Sequence, residues 1–298
     1  MSSSARYDFE AIGTSWSIEI FQTITPAELQ NLQAAIDLRI DDFDRTYSRF
    51  RPDSLVTEIS RSAGKYVFPP DARRLFEIYE SLYALTAGAI TPLIGQTLSD
   101  AGYDTEYSLQ TKKMTSPPNW LDAMSFSAPY LTTNRRILLD FGAAGKGYLV
   151  DLVSQIINDQ GYEYFCVDAG GDIYCNLAPE SPLRIGLEDP ADPNQAIGVA
   201  ALSNGSICGS SGNRRTWGQF HHILDPFALQ SPQALQAVWV TARDCLTADA
   251  LATALYFIDP QKLQADFDFE YTLLKLDNHI ESSPNFPAEF FIKESKLA

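Results

Sequence analysis

The stretch Asp140-Phe141-Gly142-Ala143-Ala144-Gly145-Lys146-Gly147-Tyr148 joins a carboxylate, a run of small residues and a lysine. An apolar run at 136–140 precedes it and predicts a strand, and apolar residues at helical spacing follow from Leu149 to Ile156. A small-residue loop before a helix lets a ligand approach the backbone and presents free N–H groups to an anion. Because the spacing matches neither G-x-G-x-x-G nor a P-loop, a phosphate site and a tight structural turn both fit.

The N-terminal part of the chain mixes strands and helices. Residues 7–21 alternate in polarity and predict a strand pair with a break at Ile12-Gly13-Thr14. Thr25-Pro26-Ala27-Glu28 is a capping box, which predicts that a helix begins here and continues to about Tyr47. A second apolar stripe predicts a helix over 71–86.

The rest of the chain is richer in strands. Residues 101–136 are polar, aromatic and turn-rich, which predicts a long surface excursion. One further strand is predicted at 164–167 and another directly after Gly170-Gly171-Asp172. Short strands are also predicted near 183–187, 197–202, 237–242 and 271–276. A helix is predicted over 247–258, and a polar tail follows the last strand. This order predicts an α+β fold of mixed or antiparallel sheets packed against helices, as a single domain over 1–298.

The composition argues against several kinds of partner and site. The 298 residues carry 38 acidic and 22 basic side chains, and a net charge of -16 repels nucleic acids and anionic membranes. A Cys/His zinc site is not expected, because no cysteine pair has C-x-x-C spacing and only three histidines occur. Reduced cysteines, no apolar run of ~18 residues and no secretion signal predict a cytoplasmic protein without a membrane span.

The segment Ala248-Asp249-Ala250-Leu251-Ala252-Thr253-Ala254-Leu255 carries candidate metal ligands. Asp249 and Thr253 are four residues apart, so on a helix they share one face. A carboxylate and a hydroxyl are hard oxygen ligands of the kind that Mg²⁺ takes. The alternative is that Asp249 caps the helix and Thr253 bonds its own backbone.

The segment His221-His222-Ile223-Leu224-Asp225-Pro226 holds two of the three histidines. A histidine near a phosphate-transfer site could serve as a general base or a hydrogen-bond donor. Alternatively, both are ordinary histidines at the end of a strand, before an Asp-Pro turn.

Taken together, these segments resemble the ApbE family of FAD:protein FMN transferases. The family pattern D-[LF]-G-[GA]-x-[AG]-K-G-[YF]-x-x-D matches from Asp140 onward, and A-D-A-L-A-T-A-L matches without a change. The matching segments, in the family's order, are Gly13-Thr14, Phe50 with Ser54, Asp140 to Asp151, Gly170-Gly171-Asp172, Ser211-Gly212, His222 to Pro226 and Ala248 to Leu255.

The resemblance implies that FAD binds as a substrate, with Mg²⁺ at its pyrophosphate. FMN is then attached through a phosphoester to a Thr or Ser of an acceptor protein, and AMP is released. His222 and Asp249 are the candidate catalytic residues. The implied metal ligands are Asp249, Thr253 and the carbonyls of Ala143 and Ala252, and the implied nucleotide contacts are Ile12, Ser60, Ala89, Ile90, Thr91, Asp140, Lys146 and Ile223.

Three positions depart from the family pattern. Thr91 stands where the family has a carboxylate, Ser60 where it has an asparagine, and Phe227-Ala228-Leu229 where Thr-Gly often follows Asp-Pro. These departures motivate two alternative functions: a Mg²⁺-dependent FAD pyrophosphatase that releases FMN and AMP, and a non-catalytic flavin-binding protein. A redox flavoenzyme is a fourth hypothesis, although the resemblance makes FAD a substrate.

Overall fold

The computed structural model describes residues 5–291. Helix α1, Pro26–Tyr47, begins at the predicted capping box: the Glu28 amide donates to the Thr25 hydroxyl, and the Thr25 amide donates to the Glu28 carboxylate at 2.8 Å. The other helices are α2 Leu55–Ile59, α3 Arg73–Leu85, α4 Gly95–Asp100, α5 Trp120–Ala123, α6 Gly145–Asp159, α7 Cys245–Ala254 and α8 Pro260–Leu263.

An eight-stranded antiparallel sheet forms the centre of the fold, in the order β1-β2-β6-β7-β10-β13-β14-β15. The predicted strand pair is its first hairpin, which turns at Ile12 and Gly13, both with positive φ. The strands are β1 Ala5–Ala11, β2 Thr14–Ile20, β6 Phe165–Ala169, β7 Asp172–Asn176, β10 Asn204–Ser211, β13 Leu235–Ala242, β14 Phe269–Lys275 and β15 Ile280–Ser282.

Smaller sheets flank the central one. Strands β3 Gly64–Val67, β4 Met124–Ser127 and β5 Tyr130–Thr133 pair in the order β3-β5-β4. Strands β8 Leu183–Asp189, β9 Asp192–Leu202 and β16 Ala288–Phe290 pair in the order β16-β9-β8, which leaves β8 at an edge. A short hairpin joins β11 Thr216–Trp217 to β12 Phe220–His221.

The main core lies between the central sheet and the helices. It includes Trp16 and Ile18 from β2, Val153 from α6 and Leu251 from α7, all almost completely buried. A second core, which includes Trp239 of β13, joins residues of the central sheet to residues of β8 and β9. The α+β class is confirmed. Within residues 5–291, no helix is long and apolar enough to cross a membrane.

Three local predictions were wrong. Residues 136–140 form no strand, because this extended segment runs beside a turn and the Asp140 amide donates to the Pro92 carbonyl at 2.7 Å. The excursion at 101–136 contains α5, β4 and β5 and buries Trp120. The tail after β14 adds β15 and β16 to two different sheets. In each case pairing with distant segments outweighed a local polar or apolar pattern.

Helices α6 and α7 hold each other through reciprocal hydrogen bonds. The Gly147 amide of α6 donates to Asp249 Oδ2 of α7 at 2.8 Å. In the other direction, Asp151 of α6 accepts from the amides of Cys245 at 2.8 Å and Leu246 at 3.2 Å, at the first turn of α7. These bonds fix where α7 presents Asp249.

Replacing Gly147 with alanine should disrupt this contact. A Cβ at that position would lie 2.1 Å from the Cys245 carbonyl oxygen and 2.6 Å from Asp249 Cβ, so the helices must move apart. We expect Gly147→Ala to lower the free energy of unfolding by about 2 kcal/mol or more in urea denaturation. Gly145→Ala is the matched control, because its Cβ would meet only ordinary contacts at 3.5 Å or more. Equal losses in both variants would contradict this account.

Asp151 should make stability depend on pH. Burial, together with Asp244, raises the pKa of Asp151 to about 7, against the lowering effect of its two amide donors and Arg74. An unfolded aspartate titrates near pH ~4, so between about pH 4 and pH 7 the unfolded state holds fewer protons. The free energy of unfolding of the wild type should therefore fall relative to Asp151→Asn by up to about 2 kcal/mol from about pH 5 to pH 7. A difference that grows with pH in chemical denaturation would be inconsistent with this assignment.

Candidate functional site

One cavity gathers most of the predicted site residues. Its volume is about 1330 Å³, above the range of about 300–1000 Å³ that is usual for small-molecule sites. The walls come from the β1–β2 turn, the end of α1, the loop before α6, strands β7, β10 and β13, and helix α7. The predicted residues that line it are Ile12, Ala89, Ile90, Thr91, Asp140, Ala143, Lys146, His222, Ile223, Asp249 and Thr253.

Two predicted site residues do not line this cavity. Ser60 lies at the end of α2, where its hydroxyl donates to the Thr57 carbonyl at 2.7 Å. Ala252 is completely buried in α7. Both residues were placed by their positions in a motif, and their roles as a nucleotide contact and as a carbonyl ligand stay predictions.

Oxygen atoms from two segments converge beside α7. Thr253 Oγ1 lies 3.5 Å from the Ala143 carbonyl oxygen and 3.5 Å from the carbonyl oxygen of Asp249. The Asp249 side chain is buried one turn earlier on the same helix. Residues 5–291 contain no cluster of three or more His, Cys, Asp or Glu side chains suited to a metal ion. A metal here would therefore depend on hydroxyl and carbonyl oxygens as well as on one carboxylate, a set that suits Mg²⁺.

The electrostatics of Asp249 fit a bound cation. Burial, and then the neighbouring charge of Asp172, raise the pKa of Asp249 well above its ordinary value, while Lys146 and the Gly147 amide oppose the rise. A buried carboxylate is stable as an anion only with a compensating positive charge. A divalent cation among these oxygens would provide that charge, so the residues present fit Mg²⁺.

Lys146 is held at the cavity wall by Asp172. Its Nζ lies 2.7 Å from a carboxylate oxygen of Asp172 and donates to the Ala169 carbonyl at 3.0 Å. Burial lowers the pKa of Lys146, but the facing carboxylates of Asp172 and Asp249 raise it further, so the ammonium stays charged. An ammonium has three N–H donors. The hydrogen bond to the Ala169 carbonyl uses one of them and the contact with Asp172 is an ion pair, so Lys146 can still donate to an anion in the cavity.

The two histidines are not equivalent. His221 is buried and held in place, because its Nε2 lies 3.0 Å from the Pro232 carbonyl and its Nδ1 accepts from the Ile223 amide at 3.3 Å. His222 lines the cavity, and its Nδ1 has no hydrogen-bond partner. Burial first, and then Arg215, lower the pKa of His222 to about 3, so the imidazole is neutral at neutral pH. Of these two histidines, His222 is the one that lines the cavity, and its buried Nδ1 lacks a partner.

Sequence reasoning missed Arg49, which is 4% exposed and lies at the cavity wall. Its Nε lies 2.5 Å from Asp140 Oδ2, and its guanidinium carbon lies 4.2 Å from the centre of the Phe50 ring and 4.9 Å from that of Tyr103. The other carboxylate oxygen of Asp140 accepts from the Gly142 amide at 2.7 Å. Asp140 therefore connects Arg49 to the loop before α6 and fixes both at the cavity wall. The available signal was an arginine placed between Tyr47 and Phe50 in a strongly acidic chain.

The departure at Thr91 has a structural role. Its Oγ1 accepts from the Leu93 amide at 3.2 Å and caps the short 3-10 turn Pro92–Ile94. The side chain is almost completely buried at the cavity wall. A neutral hydroxyl thus does the capping that a carboxylate could also do, without adding a further negative charge to the cavity.

Comparisons with solved structures show the same fold. The flavin transferase ApbE from Vibrio cholerae superposes with a TM-score of 0.80, at 20% identity, over 96% of this chain and 99% of that one. The ApbE protein from Thermotoga maritima gives a TM-score of 0.80, at 22% identity, over 96% of this chain and 100% of that one.

Sequence comparisons agree with the structural ones. A FAD:protein FMN transferase of Vibrio cholerae is 25% identical over 270 residues, which are 84% of this chain and 80% of that protein. One from Klebsiella pneumoniae is 22% identical over 286 residues, which are 86% of this chain and 79% of that protein. The model of the ApbE family matches residues 12–269. Because that match covers most of the sequence, this chain belongs to the ApbE family.

Proposed function

We propose that this protein is a transferase that moves FMN from FAD to a Thr or Ser hydroxyl of an acceptor protein, with release of AMP. Membership of the ApbE family and relatives that are named FAD:protein FMN transferases support flavin transfer. The observation that carries the proposal is the meeting of Asp249, Thr253, Ala143 and Lys146 in one cavity. This group combines hard oxygen ligands with a fixed positive charge, as transfer of a phosphoryl-linked group requires.

The proposed metal is Mg²⁺, held by Asp249, Thr253 and the Ala143 carbonyl. When bound, it supplies positive charge to the pyrophosphate of FAD and makes the phosphorus more electrophilic. Lys146 binds and orients a phosphate oxygen through a remaining N–H, because Asp172 and Ala169 fix the position of its Nζ. The rest of FAD would lie along the less polar walls of the cavity, which are formed by Ile12, Ala89, Ile90, Thr91 and Ile223.

His222 is the proposed acceptor of the proton from the attacking hydroxyl. A pKa of about 3 makes it a weak base in the free protein. An anionic pyrophosphate nearby would favour the imidazolium and so raise that pKa. The basicity of His222 would then rise only when the substrate is in place.

The structure weakens the reasons for the alternative functions. The pyrophosphatase was motivated by Ser60, which does not line the cavity. The non-catalytic hypothesis rested on the altered loop at Thr91, which keeps a capped turn. Cytoplasmic localisation, a single domain over 1–298 and the absence of nucleic-acid partners stay predictions.

Replacement of either side chain that is proposed to bind the metal should greatly reduce transfer. We expect Asp249→Ala and Thr253→Val to lower FMN transfer to a Thr-containing peptide by at least about 100-fold, measured by peptide mass and by free AMP. Thr247→Val is the matched control on the same helix, since Thr247 does not line the cavity. AMP without modified peptide in the wild type would favour the pyrophosphatase, and intact FAD bound without either product would favour the binding protein.

The role of His222 predicts a difference between two pH profiles. In the free protein its pKa is about 3, so kcat/KM should not fall through protonation of His222 between about pH 8 and pH 5. The pH profile of kcat reports the complex with FAD, in which the pKa of His222 should be higher, so kcat should begin to fall at a higher pH than kcat/KM as the solution is made more acidic. His222→Gln should remove this acidic fall in kcat. If kcat and kcat/KM of the wild type fall at the same pH, His222 is not the base.

A further inference from the structure

The outer edge of β8 faces the cavity. Within residues 5–291, β8 pairs with β9 alone and is the last strand of its sheet. Leu183, Arg184, Ile185 and Gly186 follow one another along β8, and all four line the cavity. Successive side chains of a strand point to opposite faces of the sheet, so a cavity that lies against one face contacts every second residue. Four consecutive residues contact the same cavity when the cavity lies along the edge of the strand. An edge presents N–H and C=O groups that can pair with another strand.

Among residues 5–291, side-chain contacts cover the C-terminal end of this edge. Asn213 Nδ2 donates to the Pro190 carbonyl at 2.6 Å, and Arg214 pairs with Glu188 at 2.8 Å. In the part of the chain that the structure describes, no residue pairs with the outer edge at 183–186. A cavity larger than most small-molecule sites therefore has an open strand edge as one wall.

Two exposed arginines line the cavity of this strongly acidic protein. Arg184 on β8 and Arg215 before β11 are both exposed and both line the cavity. Arg215 donates to the Tyr103 hydroxyl at 3.0 Å, and neither arginine forms an ion pair with a carboxylate among the residues described. The net charge of -16 makes this local positive charge distinctive. Arginines in this position attract acidic side chains.

We propose that the edge of β8 binds the acceptor protein as an added β-strand, in which acidic side chains of the acceptor face Arg184 and Arg215. The proposal rests on the proposed function, because it requires that the acceptor is a polypeptide. A hydroxyl of that polypeptide must reach the same cavity as Asp249. Strand addition brings a narrow main chain into the cavity and satisfies its backbone hydrogen bonds at the same time.

A peptide library tests both parts of the proposal. Short synthetic peptides with one central Thr and randomised flanks are incubated with the protein, FAD and Mg²⁺, and the FMN-labelled peptides are sequenced by mass spectrometry. We expect Asp and Glu to be enriched in the flanks. Arg184→Glu should shift the enrichment to Lys and Arg, and Arg136→Glu, an exposed change outside the cavity, should not. Unchanged preferences in Arg184→Glu would overturn the charge pairing.

Methylation of the peptide backbone tests strand pairing directly. Each amide of the best labelled peptide is N-methylated in turn, and the labelling rate is measured. Because a strand pairs through alternate residues, methylation of every second amide should lower labelling by about tenfold or more, with smaller effects at the positions between. Losses without a period of two would overturn the proposal.

Two further outcomes separate this proposal from the proposed function. The affinity for FAD is measured in Arg184→Glu, and a loss beyond about threefold would assign Arg184 to FAD instead of the acceptor. If no library peptide is labelled but the protein attaches FMN to proteins of a bacterial lysate, transfer stands and strand addition is wrong. If neither is labelled, the proposed function itself fails.

Discussion

The hydrogen bond from the Gly147 amide to Asp249 sets the geometry of the site. The bond is possible because α6 and α7 approach each other closely at Gly147. A methyl group added at Gly147 would collide with the backbone of α7. The same approach brings Thr253 to the carbonyl of Ala143 at the start of α6. The requirement for a small residue at one position therefore determines where the oxygen atoms of Asp249, Thr253 and Ala143 lie.

The carboxylates buried behind the cavity lie beside groups that compensate their negative charge. Asp249, Asp172 and Lys146 form a buried group with more negative than positive charge, which a cation would balance. Farther out, Asp151 binds the first turn of α7, and Arg49 binds Asp140. Each buried carboxylate thus has a backbone amide, a basic side chain or a place for a metal beside it, as burial of charge demands.

The sequence was sufficient to predict those elements whose structure depends on neighbouring residues in the chain. The capping box of α1, the hairpin at Ile12 and the helix that carries Asp249 depend on neighbours in the chain, and all three were predicted. The edge position of β8 and the pair between Arg49 and Asp140 depend on segments that meet only in the folded chain. A motif indicates which residue types occur together, but it did not indicate that the Ser60 hydroxyl donates to the Thr57 carbonyl at the end of α2.

The contacts that build the cavity join parts of the chain that are far apart in sequence. Gly147 and Asp249 are separated by 102 residues, and Arg49 and Asp140 by 91. Such contacts close large loops, and the loss of chain entropy opposes their formation until other native contacts compensate for it. A partly folded chain therefore has no binding site to offer. A ligand that binds only the complete cavity stabilises the complete fold, so its concentration lowers the population of unfolded chains that a protease can cut.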